Sequence, residues 1–212
     1  MPGSEYDFWL LDLDGTLIDV EESYIHDVFE QIGARLDASF TADEAEYLWY
    51  GYGNTRAEVL ADHAIDPERF WQVFHDVEQP QARAAATHLY PDAEQFVPEL
   101  TEPIGLLTHC QEYLTGPVLE TLDIADWFDT VLCCTDQTGW KPDPEPVNMV
   151  MRDLGVANNG HKGVLAGDDP GDIGAARNAG ITSIHVNRHD TTPEDPDAKA
   201  HHRISTFTEL TD

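Results

Sequence analysis

The sequence predicts an α/β fold: a Rossmann-like parallel sheet with helices on both faces, interrupted by an all-helical insertion. Three observations lead there. Phe8–Leu11 is an apolar run of strand length that stops abruptly at Asp12-Leu13-Asp14-Gly15-Thr16, and in open α/β sheets ligands bind at the carboxyl ends of strands. Residues 18–88 then carry helical patterning with no strand signal. From residue 104 onward, short apolar runs alternate with helical stretches, which implies a parallel sheet with right-handed crossovers.

Within the insertion, Val20, Ile25, Val28, Phe29 and Ile32 supply the apolar positions of a helix over 20–36. Thr41 and Glu44 have capping-box spacing and open a second helix. Gly51-Tyr52-Gly53-Asn54-Thr55-Arg56 separates it from a helical stretch to His63. Asp66-Pro67 opens a helix over 66–78, because Asp caps and Pro suits the first turn. A further helical piece runs to His88. After Tyr90-Pro91-Asp92 a short helix is expected through Leu100. Strands are expected at Ile104–Thr108, Phe128–Cys134, Gly163–Ala166 and Ile181–Val186, with helices at 111–122, 144–154 and 169–179. Gly116-Pro117 is expected to disturb the first of these helices, and Gly180 to stop the last. Residues 188–203 are polar, with Pro193, Pro196 and His201-His202, and read as a loose surface segment. Ile204–Leu210 is expected to dock a final element. The expected division is a discontinuous core, 1–17 with 89–212, and an inserted domain, 18–88.

With 212 residues and 41% hydrophobic content, the chain suits one α/β domain plus a modest insertion. No run has the length of a membrane span, and no basic region precedes an apolar stretch at the N-terminus. A soluble, cytoplasmic protein without a membrane partner is expected. There are 41 Asp and Glu against 11 Lys and Arg, a net charge of −30. Nucleic-acid binding depends on cations that neutralise phosphates, so this partner is excluded. The acids are spread along the chain rather than gathered in a tail, which reads as a solvated acidic surface. Such a surface suits a very salty cytoplasm, where the Debye length is only about 3 Å at 1 M salt. A halophilic source is therefore expected. Cys110, Cys133 and Cys134 are too few for a disulfide framework. The adjacent pair reads as core filler rather than a metal pair. Monomer and homodimer both remain open.

Asp12 and Asp14 project the same way from an extended chain, and Gly15 lets the backbone turn out of the sheet. Adjacent carboxylates repel unless a positive group holds them. Mg²⁺ takes oxygen ligands and one or two carboxylates, so it is the natural candidate. The plain alternative is an acidic turn at a strand end. An EF-hand loop is excluded: it needs Gly sixth and Glu twelfth, where the count from Asp12 reaches Leu17 and Ser23.

Later strands end in residues that could serve the same place. Thr108 can donate its hydroxyl to a phosphate oxygen, although a Thr ending a strand is ordinary. Lys141 is one of three lysines and precedes a proline, which favours extended backbone. Its compact charge suits phosphate, with a plain surface lysine as the competing reading. Gly167-Asp168-Asp169-Pro170-Gly171-Asp172 places carboxylates at a strand end and in a first helical turn. Asp168 and Asp172 are the candidates for a metal ligand and a residue supporting it, and Asp169 can be only a cap. No phosphate-cradling Gly-rich fingerprint occurs, so a nucleotide cofactor is not indicated.

Together, Asp12-Leu13-Asp14-Gly15-Thr16, Thr108, Lys141-Pro142-Asp143-Pro144 and Gly167 to Asp172, followed by Ala175-Ala176 and Ala179-Gly180, resemble the motif set of the haloacid dehalogenase-like (HAD) hydrolase superfamily. The resemblance runs in order across nearly the whole chain. The insertion is similar to the family's C1-type cap, an inserted all-helical cap, and Leu89-Tyr90-Pro91 resembles the return to the core. Two positions depart from the family: His109 stands where Asn is common and Asp169 where Ser is common. His109 is expected at the mouth of the site, where it alters substrate fit.

The resemblance implies an enzyme that hydrolyses a small phosphomonoester, a small phosphorylated metabolite. It implies Asp12 as the nucleophile that forms an aspartyl-phosphate and Asp14 as acid, then base. Thr108 and Lys141 would hold the phosphoryl oxygens, and Lys141 would keep Asp12 ionised. Mg²⁺ would be held by Asp12, the Asp14 carbonyl and Asp168, with Asp172 in support. Within the family the chain looks like the phosphoglycolate-phosphatase-like branch, with a β-phosphoglucomutase-like phosphomutase as the alternative. A haloacid dehalogenase does not need Asp14, and a non-catalytic HAD-fold binding protein does not need the full motif set. Gly53, Asn54 and Arg56 stand where C1 caps carry a specificity loop. Arg56 could hold a substrate carboxylate or phosphate bidentately, or be a surface arginine at a helix start.

Overall fold

The structure, a computed structural model, describes residues 5–51, 55–157, 160–188 and 199–211. Its centre is β1 (Phe8–Leu11), which lies between β4 (Ile104–Thr108) and β6 (Gly163–Gly167). Beyond β4 comes β5 (Thr130–Cys133), and beyond β6 come β7 (Thr182–Val186) and β8 (His202–Ile204). Every neighbouring pair is parallel. β1 is apolar throughout because both its faces are covered. Trp9 and Leu11 pack into one layer with Phe96, Val118 and Phe207. Phe8 and Leu10 pack into the other with Val147, Val150 and Ala175. Those layers come from α6 (Pro91–Phe96) and α7 (Glu112–Thr121) on one face, and α8 (Glu145–Asp153) and α9 (Pro170–Ala179) on the other. Leu11 pairs with both Leu106 and Ala166. Asp12, Thr108 and Asp168 therefore leave the sheet along one edge.

The insertion contains α1 (Glu22–Leu36), α2 (Ala42–Tyr50), α3 (Thr55–Asp62), α4 (Pro67–Val77) and α5 (Pro80–Ala85). These helices bury a cluster of their own around Phe29, Leu48, Phe70 and Phe74. The capping box of Thr41 and Glu44 forms as its spacing predicts, and Asp66 caps α4.

Three readings of the chain need correction. Residues 18–88 are not helical throughout. Ile18–Val20 (β2) and Thr87–Leu89 (β3) form an antiparallel ribbon that carries the chain out of the sheet and back. Strands of three residues are too short to show a period. Asp19 on this ribbon accepts hydrogen bonds from Tyr50 and Tyr90, each at 2.8 Å. Secondly, the polar stretch 188–203 is not wholly loose. His202–Ile204 joins the sheet as β8, an edge strand whose only buried side chain is Ile204. Arg188 donates to the Thr16 carbonyl at 3.0 Å, pairs with Asp92 at 2.8 Å, and lies 4.1 Å over the Tyr90 ring. Residues 189–198 lie outside the described residues. Thirdly, Pro117 does not interrupt α7. Its predecessor is Gly116, which lacks the Cβ that normally clashes with a following proline ring.

Gly163 opens β6 opposite Phe8, and a Cβ there would run into the Phe8 ring. Gly163→Ala is therefore expected to cost about 1–3 kcal/mol. The check is a urea titration, in which the midpoint falls while the slope stays unchanged.

Candidate active site

The carboxyl edge of the sheet opens into a cavity of about 690 Å³, with Asp12, Asp14, Thr108, Lys141 and Asp168 on its sheet side. Asp12 continues β1 by one residue, and its N–H donates to the Ala166 carbonyl at 2.9 Å. A tight turn follows, in which the Leu17 N–H donates to Leu13 at 2.9 Å. Gly15 is needed there on two grounds. Its φ of +74° disfavours other residues, and a Cβ would collide with the Asp168 carboxylate.

Lys141 reaches into this edge from the loop after β5. Its Nζ lies 2.6 Å from Asp12 Oδ1 and 2.7 Å from Asp172 Oδ1, and it donates to the Leu107 carbonyl at 3.2 Å. The ammonium thus donates to Asp12 and to the Leu107 carbonyl, and Asp172 stands beside it as a second counter-charge. Burial opposes the charge on Lys141, but Asp12 and Asp172 outweigh it and raise its pKa. The lysine is a buried cation, and the surface reading is overturned. Thr16 donates between Asp12 Oδ2 at 3.4 Å and Asp168 Oδ1 at 3.3 Å. Thr108 is buried, and its hydroxyl oxygen accepts the Cys110 N–H at 3.0 Å. Its own proton remains available to a ligand in the cavity.

His109 lines the cavity, as expected, and does something the sequence did not suggest. Its Nε2 accepts the Lys141 backbone N–H at 3.0 Å, and its ring meets Trp140 edge-on at 5.3 Å. Burial, then Lys141 and Arg56, push its pKa down to about 3. His109 is a neutral imidazole that positions the lysine loop. Asp169 is the cap of α9: it accepts the Gly171 N–H at 2.6 Å.

The ligand atoms of Asp12, Asp168 and Asp172 lie within 4.8 Å of one another. Burial raises the pKa of all three and Lys141 opposes it; repulsion adds to the rise, from Asp14 on Asp12, from Asp12 and Asp172 on Asp168, and from Asp12 on Asp172. Among the described residues, Lys141 is the cation in ion-pair contact with Asp12 and Asp172. An all-oxygen set with surplus negative charge fits one hard divalent cation such as Mg²⁺. The fit is uneven. Asp172 Oδ1 is engaged by Lys141 and Oδ2 by the Asp169 N–H at 3.2 Å, so Asp172 acts as a support.

The helical side of the cavity holds the groups that sequence reasoning missed. Arg83, on α5, is only 3% exposed and pairs through Nη2 with Asp14 Oδ1. Its guanidinium lies 4.7 Å over the Trp49 ring. Burial opposes its charge, yet Asp14, Cys110 and Glu78 together raise its pKa. Glu78 is buried beside it and accepts from the Tyr24 hydroxyl at 3.3 Å. Arg83 sits among alanines in a short helix, where an arginine ordinarily faces water. Arg56 also lines the cavity. Its Nε and Nη2 donate to the Leu48 and Trp49 carbonyls at 2.9 and 2.7 Å. Much of its fork is thus spent on the end of α2. Gly53 and Asn54 lie outside the described residues.

The profile of the haloacid dehalogenase-like hydrolases matches residues 9–186. The chain belongs to that family. Phosphoglycolate phosphatase of Escherichia coli (strain K12) is 27% identical over 202 residues, covering 82% of this chain and 78% of that protein. The enzyme of the same name from Yersinia pseudotuberculosis is 28% identical over 194 residues, covering 82% and 77%. A haloacid dehalogenase-like family hydrolase from Streptococcus pneumoniae shares the fold, with a TM-score of 0.78 at 16% identity and 98% of each chain covered. Family and relatives support a phosphatase. Among the described residues of this hydrolase, no helix is long and apolar enough to cross a membrane.

In the folded hydrolase, burial raises the pKa of Glu78 to about 7, with Arg83 opposing and the Asp14 charge adding to it, against about 4.3 when unfolded. Folding takes up a proton between those values, so this contribution to stability is full at low pH and is lost as pH rises through 7. Glu78→Gln is expected to raise Tm at pH 8, by roughly 2–4 °C per kcal/mol, with no gain at pH 4. Thermal melts at the two pH values check it.

Proposed function

We propose that this hydrolase is a Mg²⁺-dependent, phosphoglycolate-phosphatase-like enzyme that cleaves a small phosphorylated metabolite through an aspartyl-phosphate on Asp12. The observation that supports this best is the buried Lys141–Asp12 pair at 2.6 Å. The lysine opposes the upward push that burial gives the Asp12 pKa and tethers one oxygen, which leaves Oδ2 as the nucleophile. Asp12 attacks phosphorus, and the ester oxygen departs with a proton from Asp14. Asp14 then takes a proton from water as that water attacks the aspartyl-phosphate, which releases phosphate and restores both acids. Lys141 and Thr108 offset charge on the transferring phosphoryl oxygens. Mg²⁺, held by Asp12, Asp168 and the Asp14 carbonyl with Asp172 in support, supplies Lewis-acid neutralisation when bound. The helices of residues 22–85 act as a cap that chooses the substrate, over a core of 1–17 and 89–212.

Phosphate release from a panel of metabolite phosphates, in molar KCl with Mg²⁺, tests this reading. Asp12→Asn is expected to lower kcat on the order of 10³-fold or more, and chelation of Mg²⁺ to abolish turnover. Isomerised sugar phosphate in place of free phosphate would identify a mutase. Activity surviving in Asp12→Asn would refute the mechanism.

The net charge of −30 further supports a salt-adapted cytoplasmic enzyme. At low ionic strength its self-repulsion is unscreened. Dilution from molar KCl into dilute buffer is expected to unfold it, read by circular dichroism. Full activity in dilute buffer would overturn salt adaptation.

A further inference from the structure

Arg83 is the anomaly of the cavity. It is buried, yet its Nε and Nη1 have no hydrogen-bond partner, and orphaned buried donors are costly. Only Nη2 is engaged, and it holds the carboxylate of Asp14. That arrangement parks the proposed proton donor on the cap. Asp14 keeps 33% of its side chain exposed, so it has room to leave. Arg83 is less free: it is stacked on Trp49, and nearby Glu78 is bonded to Tyr24.

A guanidinium binds a carboxylate best through two adjacent nitrogens. The Nη1–Nη2 edge of Arg83 is half empty and half on Asp14. A carboxylate that takes this edge gains the empty donor and displaces Asp14 from the other. We propose that Arg83 selects phosphomonoesters bearing a carboxylate one carbon from the ester oxygen, because that carboxylate takes over the guanidinium and frees Asp14 for proton transfer. The spacing follows from the chemistry: the carboxylate must lie beside the leaving oxygen that Asp14 protonates. This inference rests on the phosphatase reading, and it makes Arg83 a specificity-determining residue.

The test compares phosphoglycolate with ethyl phosphate, which replaces the carboxylate by a methyl group, using the full chain in molar KCl with Mg²⁺. An aryl phosphate serves as a control. Wild-type kcat/KM is expected to favour phosphoglycolate by roughly 10- to 150-fold, the range of a hydrogen bond to a charged group. Part of this preference is expected in kcat, because the carboxylate releases Asp14. Arg83→Met is expected to lose the preference, with kcat/KM falling at least tenfold more on phosphoglycolate than on ethyl phosphate. Arg83→Lys is expected to restore part of it. Equal loss on both esters would overturn the proposal and leave Arg83 as a positioning residue for Asp14. A wild-type enzyme that cleaves the aryl phosphate without preferring phosphoglycolate would also overturn it, even if Arg83→Met fails to fold. No phosphate from any of the three esters would instead sink the phosphatase reading itself.

Discussion

Three carboxylates converge on the carboxyl edge of the central sheet, and a single lysine makes that convergence tolerable. Lys141 touches Asp12 and Asp172 at once and anchors to the Leu107 carbonyl. Without it, Asp12 and Asp172 would be buried charges with no cation in contact, a condition that proteins relieve by protonation. The rest of the site serves this contact. His109 positions the lysine loop from its backbone, and for that role the imidazole must be neutral. The α9 cap orients Asp172. Gly15 turns the chain away so that Asp168 can come close. Charge is still left over, and this surplus is what suits the edge to a divalent cation.

A second ion pair crosses between the two parts of the chain. Asp14 belongs to the sheet edge, whereas Arg83 belongs to the last helix of the insertion. The ribbon of β2 and β3 brackets the insertion, β2 before its helices and β3 after them, and is pinned by Asp19 to Tyr50 and Tyr90. The proposed proton donor is thus bonded to the helices proposed to act as a cap.

Much of this was legible in the chain. The alternation of apolar runs and helices predicts the parallel sheet, since strands covered on both faces are apolar throughout. Asp12, Thr108 and Asp168 were legible because a strand end leaves few directions for a side chain, and Lys141 because it is one of only three lysines and precedes a proline. Arg83 was not, since its meaning depends on where α5 packs. Nor was the bond from Lys141 to His109, which joins residues 32 apart in sequence. The ribbon and β8 escaped because three residues carry no period. Asp172, expected to support the metal set, has Oδ1 against Lys141 and Oδ2 accepting the Asp169 N–H.

The central claim is that Asp12 carries the phosphoryl group. It is tested most directly by mass spectrometry of enzyme quenched in acid during turnover of an aryl phosphate, whose phenolate leaves without a proton, using Asp14→Asn to slow the second step. One phosphoryl group is expected on the peptide containing Asp12, and none in Asp12→Asn. A phosphoryl group on any other residue, or none on an enzyme that is turning over, would contradict it.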